Sequence, residues 1–160
     1  MKKLMTALLT AMLLITNTAY ADKLHDGMIA YGKGNYKEAI TLFKPLALQG
    51  DVDAQTNLGV MYANGQGVPQ HDVEAVKWYK LAAEQGYAMA QFNLGSMYYI
   101  GLGVTQDYIK AYMWNNLAAA QGDAHAVENR NIVASKMSQQ QLAKAQNLSR
   151  ECLARKYKGC

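Results

Sequence analysis

The sequence contains one 36-residue unit written twice in succession, with no insertion between the copies. Residues 51–86 and residues 87–122 are identical at 18 of 36 aligned positions. Self-similarity at a fixed period is typical of solenoids, in which each unit buries its apolar face against its neighbours. The whole chain has 160 residues, which fits a single domain of this kind. The repeat therefore restricts the possible folds more strongly than any other feature of the sequence.

Each copy of the unit has the pattern of a helical hairpin. In the first copy, apolar residues recur at i, i+4, i+7 and i+8, which is one face of a helix. These residues are Ala54, Leu58, Met61 and Tyr62. Gly65 and Gly67 predict the end of this helix, because glycine tolerates the left-handed backbone found at helix ends. Ala75, Trp78 and Ala82 predict a second helix that ends before Gly86. We call the two helices of each unit helix A and helix B.

The repeated residues also match a known pattern. Residues 54–86 read A-x-x-x-L-G-x-x-Y-x-x-G-x-G-V and then A-x-x-W-Y-x-x-A-A-x-Q-G, and residues 90–122 repeat most of it. This pattern resembles the Sel-1-like repeat, a relative of the tetratricopeptide repeat. The resemblance implies an all-α fold, a right-handed α–α superhelix (solenoid) of Sel-1-like hairpins with a C-terminal capping helix. The second copy departs from the family at Asn115, where an aromatic residue is usual, which predicts a wetter outer contact there.

The first 21 residues have the pattern of a secretory signal peptide. A basic pair at residues 2–3 precedes an apolar run at residues 4–15, and residues 19–21 fit an A-x-A cleavage site. The apolar run is shorter than the roughly 20 residues that span a bilayer. We therefore predict cleavage after Ala21, a periplasmic or secreted protein, and no membrane span after cleavage.

Comparison with the repeat divides the rest of the chain into four segments. Residues 22–50 are predicted to form a degenerate N-terminal tetratricopeptide-like hairpin. The two Sel-1-like repeats follow at residues 51–86 and 87–122. Residues 123–160 are predicted to form a degenerate repeat and a C-terminal cap helix.

The C-terminal segment shows where the repeat ends. Arg130 stands where the leucine of the Leu-Gly pair is expected, and a terminal unit of a solenoid needs a polar outer face. Ser138 with Gln141 three residues later has the pattern of a capping box, which predicts the start of a long final helix. Between residues 144 and 158 the chain has five basic residues against one acidic residue. We interpret them as a solvated helix face, and export argues against nucleic acid as a partner.

Cysteine occurs at two positions, both close to the C-terminus. An even number of cysteines in an exported chain predicts a disulfide, here between Cys152 and Cys160. The three histidines are scattered, and none stands at metal-ligand spacing from a cysteine. We predict no metal site and no cofactor.

The sequence has no motif of a known catalytic centre. The Gly-x-Gly-Val turns lack the G-K-[ST] ending of a phosphate-binding loop, and neither G-x-S-x-G nor H-E-x-x-H occurs. Trp78 and Trp114 stand at equivalent positions of helix B and could form a ligand-stacking pair. The repeat supplies them periodically, so the core explanation is favoured. We predict that the protein is not an enzyme.

The resemblance also indicates a binding surface. In tetratricopeptide-like hairpins the A helices line the concave face, and their positions outside the core point into a groove. At these positions the second copy has larger apolar side chains than the first. The candidate partner-binding residues are Thr56, Val60, Met89, Phe92, Ser96 and Tyr99. An exposed apolar patch is typical of an interaction site. Packing of the same residues against a C-terminal helix folded over this face is the alternative.

Three hypotheses for function follow. Sel-1-like proteins are generally adaptors of macromolecular complexes, which implies an exported, monomeric scaffold that holds a protein or peptide partner in its concave groove within the bacterial envelope. The alternative is a peptidoglycan- or penicillin-binding protein with weak β-lactamase-like activity, as in some secreted members of the family. Those members carry a cysteine pair in nearly every repeat, and the repeats here carry none. The third hypothesis is a purely structural or inhibitory partner whose groove is already filled by its own tail.

Overall fold

The fold is an all-helical solenoid, as the sequence predicts. The structure, a computed structural model, describes residues 20–160, and within this range it contains helices and no strand. The first helix, α1, covers residues 20–32 of the described chain. It is followed by α2 (Tyr36–Leu48), α3 (Val52–Asn64), α4 (Asp72–Ala83), α5 (Ala88–Ile100), α6 (Tyr108–Ala119), α7 (Ala124–Ala134) and α8 (Gln139–Ala154).

The predicted signal peptide lies almost entirely outside the described residues. Tyr20 and Ala21 are its described part, and both belong to α1. The Tyr20 hydroxyl donates a hydrogen bond to Asp51 Oδ2 at 2.9 Å. Between residues 20 and 160, no helix combines the length and the apolar character that crossing a membrane requires.

Each repeat forms the predicted hairpin of helix A and helix B. Helices α3 and α4 pack together in the first repeat, and α5 and α6 do so in the second. Asp51 begins α3 by accepting a hydrogen bond from the Ala54 amide at 2.7 Å, which satisfies one of the free amides of the first turn. Gly65 ends α3, and Gly101 ends α5, with φ angles of 67° and 84°.

The Leu-Gly pair sits where helix B crosses helix A. Leu58 and Leu94 are buried in the core. A Cβ atom on Gly59 would lie 2.5 Å from the ring of Tyr79, a helix B residue. Leu58 lies in the core cluster shared with α1 and α2, and Leu94 lies in the cluster shared with α4 and α6. The glycine lets the opposing side chain of helix B lie directly on the backbone.

The prediction that Asn115 makes its outer contact more accessible to water is wrong. Asn115 has no exposed surface, and it lies over Gly95 as Tyr79 lies over Gly59. Its Nδ2 donates to the Ala111 carbonyl at 2.8 Å, while its buried Oδ1 has no hydrogen-bond partner among the described residues. The smaller side chain is enclosed because helices α5 and α6 keep the same close approach as in the first repeat.

The loop between helices A and B fixes each repeat to the one before it. A Cβ atom on Gly67 would lie 2.7 Å from the backbone of Tyr36, the first residue of α2. Gly103, one period later, lies in the same way against the backbone of Asp72, the first residue of α4. Both glycines have positive φ angles, 75° and 69°. The second glycine of the Gly-x-Gly-Val segment is therefore one of the points at which consecutive repeats touch.

Glutamine side chains connect the repeats at the other end of the hairpins. Gln55 donates to the Ala47 carbonyl at 2.9 Å, and Gln85 donates to Gln55 Oε1 at 2.9 Å. One period later, Gln91 donates to the Ala83 carbonyl at the end of α4 at 3.2 Å and accepts a hydrogen bond from Gln121 at 2.9 Å. These bonds satisfy buried polar groups at each junction. We call this series the glutamine relay.

The C-terminal helix does not form a hairpin with α7. Helices α7 and α8 both pack on α6, and they hardly touch each other. The capping box predicted at the start of α8 is present, since Gln141 N donates to Ser138 Oγ and Ser138 N donates to Gln141 Oε1. The buried face of α8 includes Ala145 and Cys152. The cap helix therefore packs mainly on a B helix, whereas all six candidate partner-binding residues lie on the A helices α3 and α5.

The predicted disulfide is confirmed. Cys152 in α8 is bonded to Cys160 in the tail, with a Cα–Cα distance of 5.6 Å. Cys152 is fully buried in the core between α6 and α8, so the bond holds the tail against the second repeat.

We expect Cys160→Ser to lower the free energy of unfolding by about 2–3 kcal/mol, because the bond restricts a short loop in the unfolded chain. Urea unfolding monitored by circular dichroism would measure the difference. The wild-type protein should lose the same amount when dithiothreitol is added, and the variant should not respond to it. An unchanged wild-type midpoint under reducing conditions would contradict the prediction.

Candidate functional site

The candidate site begins on the first turns of α5. Met89 is 53% exposed, like several other large apolar side chains of this protein, so its neighbours decide whether it belongs to an apolar patch. Phe92 lies three residues later on the same helix face and is half-buried. Its ring centroid is 6.1 Å from that of His125 in α7, with the rings tilted by 43°. Met89, Phe92 and His125 therefore form a partly open apolar surface across two A helices.

Ser96 holds these two helices together. Its hydroxyl donates to the Phe92 carbonyl at 3.0 Å and accepts a hydrogen bond from Asn129 Nδ2 at 3.2 Å. Both hydrogen-bonding roles of the hydroxyl are thus used inside the protein. Ser96 fixes the spacing of α5 and α7, and it positions Phe92 and His125 next to each other.

Tyr99 faces a different set of neighbours. Its ring centroid is 5.8 Å from that of Tyr108. It packs against the core cluster that contains Val133 of α7, as does Leu142 of α8. Tyr99 therefore lies at the edge of a core cluster to which α6, α7 and α8 all contribute.

The two candidate residues on α3 are less accessible. Thr56 is 3% exposed, and its hydroxyl donates to the Val52 carbonyl at 2.7 Å. Val60 is half-buried against the core cluster formed by α4, α5 and α6. Among the six candidates, the structure brings Met89 and Phe92 together on an open surface, and it places Thr56 largely inside.

Hydrogen bonds between tyrosine and aspartate flank this surface. The Tyr87 hydroxyl donates to Asp53 Oδ1 at 2.6 Å and links the start of α5 to α3. This hydrogen bond, together with burial and the nearby carboxylate charges, raises the pKa of Tyr87 to about 12. The pKa of Tyr20 is raised to about 12 by burial and by its bond to Asp51.

The raised pKa of Tyr87 predicts a loss of stability in alkali. Above pH 10 the unfolded chain releases the phenolic proton while the folded protein retains it, so the free energy of unfolding falls as the pH rises toward 12. We expect Tyr87→Phe to be less sensitive to pH across this range, because its unfolding no longer releases that proton. Melting temperatures measured from pH 8 to about pH 12 would test this. Parallel curves for the variant and the wild type would contradict it.

Two residues of the site were not among the sequence candidates. His125 and Asn129 both come from α7, where the Leu-Gly pair is lost. A signal was nevertheless present, because continuing the 36-residue period places His125 in series with Asp53 and Met89. The arrangement of Met89, Phe92 and His125 suits the binding of a partner through surface contacts. Within residues 20–160, no group of three or more His, Cys, Asp or Glu side chains could hold a metal ion.

The two repeat tryptophans differ in their surroundings. Trp114 is 1% exposed and belongs to the core under α8. Trp78 is partly exposed and borders a cavity of about 670 Å³ on the side of the B helices. Trp114 is therefore a core residue, as expected from the repeat, whereas Trp78 is only partly in the core.

Comparison with known proteins agrees with the architecture. The chain is similar to a protective antigen of uropathogenic Escherichia coli that displays an SLR fold, with 35% identity and a TM-score of 0.82 over 86% of this chain. It is also similar to a Sel1 repeat protein from Oxalobacter formigenes, with 30% identity and a TM-score of 0.68 over 79% of this chain. The chain spans 30% and 54% of the lengths of these two structures.

No curated protein sequence matches the chain. The Sel1 repeat family, by contrast, matches three consecutive segments, residues 24–51, 52–87 and 88–123. Together they cover more than half of the chain without a gap. This protein therefore belongs to the Sel1 repeat family.

Proposed function

We propose that this protein is a non-enzymatic, exported scaffold that binds a protein partner through the A helices of its repeats. Sel1 repeat proteins are generally protein-interaction scaffolds. The solenoid presents α3, α5 and α7 in sequence, and their side chains are linked by the Tyr87–Asp53 and Asn129–Ser96 hydrogen bonds. Such a surface is rigid before binding, which reduces the entropy lost when a partner docks.

The exposure of Met89 beside Phe92 is the observation that carries this proposal. The first repeat has Asp53 and Thr56 at the equivalent positions, so the packing of a repeat does not require apolar residues there. Met89 nevertheless leaves half of its side chain in solvent, and Phe92 is incompletely covered by His125. Methionine and aromatic side chains are enriched in the centres of protein interfaces. We propose that Met89 and Phe92 anchor the partner, with Val60 and Tyr99 beside them and Ser96 and Thr56 supporting them.

An exported location is part of the proposal and is supported by the disulfide. Disulfides persist in oxidising compartments such as the periplasm and the extracellular space. The Cys152–Cys160 bond accounts for both cysteines of the sequence. Together with the signal-peptide pattern at residues 1–21, it favours a scaffold in the bacterial envelope.

Site-specific photo-crosslinking in intact cells would test the proposal. A photoreactive residue at position 89 should give one discrete adduct with a protein partner. The same residue at position 73 is the matched control, because Val73 is 47% exposed and lies on the helix B side, in α4. Adducts of equal yield from both positions would contradict the assignment of the surface.

The captured partner then allows a quantitative test. We expect Phe92→Ala to weaken its binding about tenfold or more, because aromatic anchors carry much of the energy of an interface. Val73→Ala should leave the affinity unchanged. Circular dichroism of both variants would verify that they are folded at the temperature of the assay. A Phe92→Ala protein that is folded and binds like the wild type would show that α5 is not the docking surface.

A further inference from the structure

The side of the B helices contains the same groove twice, one period apart. Each groove lies between the end of one helix B and the next, and each has a tryptophan in its wall. The Trp78 groove is formed by Ala47, Gly50, Trp78, Leu81 and Gln85. The equivalent positions one period later form the Trp114 groove, which comprises Ala83, Gly86, Trp114, Leu117 and Gln121. The repeat therefore provides an internal comparison of a filled groove with an open one.

The Trp114 groove is filled by the chain's own tail. The ring of Tyr157 lies so close to Gly86 that a Cβ atom there would be 2.7 Å from it. Tyr157 packs against the core cluster that contains Trp114 and Leu117, and Leu117 is only 3% exposed. The groove thus accommodates an aromatic side chain, which together with α8 covers its apolar wall.

The tail holds Tyr157 on a tight turn at the end of α8. The Tyr157 amide donates to the Cys152 carbonyl at 2.9 Å, and Lys156 and Tyr157 both have positive φ angles, 52° and 67°. The Cys152–Cys160 disulfide closes the loop around this turn. The occupant of the filled groove is therefore a tyrosine that is presented by a constrained turn.

The Trp78 groove has the same walls and no occupant within the described chain. Its cavity measures about 670 Å³, and no atom lies within 4 Å of the position that a Cβ on Gly50 would take. Leu81, the counterpart of the buried Leu117, is 47% exposed. Leu48 at the rim is also exposed. An open apolar wall of this kind, next to a filled copy of itself, is suited to an aromatic side chain from outside.

We propose that the Trp78 groove docks a tyrosine-bearing turn of a partner protein, in the way that the Trp114 groove holds Tyr157. Lys158 and Glu84 border the groove, so charges of both signs are available to the polar part of the turn. A second copy of this chain is disfavoured as the donor, because its Tyr157 is already seated in its own Trp114 groove. This docking site is separate from the proposed surface on the A helices.

The chain itself supplies a probe. A synthetic nonapeptide with the sequence of residues 152–160, closed by its disulfide, copies the turn that fills the Trp114 groove. It would be titrated to millimolar concentration into the full-length, oxidised protein labelled with ¹⁵N. We expect saturable shifts in the amide signals of Gly50, Leu81 and Gln85 and in the indole signal of Trp78. The same peptide with alanine in place of tyrosine should lose these shifts.

A matched pair of variants locates the binding. Leu81→Lys should weaken the peptide about tenfold or more, because it places a charge on the apolar wall. Val73→Lys, on the same helix at the same exposed fraction of 47%, should bind like the wild type.

Two results would overturn the proposal, namely no shifts at the highest concentration or equal shifts with the alanine peptide. Shifts confined to Gly86 and Leu117 would also overturn it, since the peptide would then only be replacing the tail. Self-association that blocks the groove without peptide would identify a second copy as the occupant and would equally overturn it.

Discussion

Gly103→Ala is expected to destabilise the protein by about 3–5 kcal/mol. The new Cβ would overlap the Asp72 carbonyl group at the start of α4, and backbone cannot move aside as a flexible side chain can. The φ angle of 69° adds strain for any residue with a side chain. Strained backbone costs about 1–3 kcal/mol, and an overpacked contact costs a similar amount. The free energy of unfolding in urea would measure the loss.

Gly101→Ala is the matched control for this prediction. Gly101 also has a positive φ angle, 84°, but the nearest atom to its Cβ position is Gln106 Cβ at 3.2 Å, a much looser contact than a Cβ on Gly103 would make with the Asp72 backbone. The backbone strain is therefore the main cost, and we expect a loss of about 1–2 kcal/mol. If the two variants lose equal stability, the contact between consecutive repeats does not depend on Gly103.

Trp114→Ala is expected to cost about 3–5 kcal/mol, as for other buried tryptophans. Trp114 is 1% exposed and lies between the hairpin core and α8. Its removal would leave a cavity under the cap helix. Trp78→Ala, at the equivalent position of the first repeat, should cost less than half as much, because Trp78 borders solvent in an open groove.

Thermal and urea unfolding of the two tryptophan variants would give this comparison directly. Both substitutions remove the same side chain from the same place in the repeat, so the difference reports the cover that α8 and Tyr157 provide. Equal losses would mean that the cover adds no stability to the Trp114 side of the solenoid.

The parts of the fold that depend on local or periodic signals could be predicted from the sequence. The 36-residue period determines the hairpin and its stacking, because the same apolar faces must meet in every copy. The capping box at Ser138 and Gln141 is a contact between residues three apart, so its pattern is visible in the chain. The disulfide was predictable because the sequence has no third cysteine that could pair with Cys152 or Cys160.

The contacts of the C-terminal segment could not be predicted in the same way. Seven residues separate helices A and B in each full repeat, but only four separate α7 from α8. The shorter connection goes with an α8 that packs on α6 instead of pairing with α7. The burial of Asn115 was missed for a related reason, because the spacing of α5 and α6 is determined by the whole hairpin and not by that residue.

At the candidate site, the sequence pointed to Met89 and Phe92 but not to the residues beside them. Met89 and Phe92 stand out because the first repeat has polar residues at their positions. The partners His125 and Asn129 come from a segment where the repeat pattern fades. Thr56 was included because its position in the helix is right, but its hydroxyl turns back to the Val52 carbonyl and its side chain is covered.

The glutamine relay has a consequence for how such chains change in length. Each repeat contains the same pair, Gln55 with Gln85 and then Gln91 with Gln121, and the first member of each pair also donates to a carbonyl of the preceding helix B. The series ends in α7, where Val127 replaces the glutamine. A duplicated copy of residues 52–87 would bring both members of the pair with it and would form two junctions of the existing kind. An insertion of another length between the two members of a pair would separate that donor from its acceptor. We therefore expect evolution to lengthen or shorten this solenoid in whole steps of 36 residues, at its interior and not beyond α7.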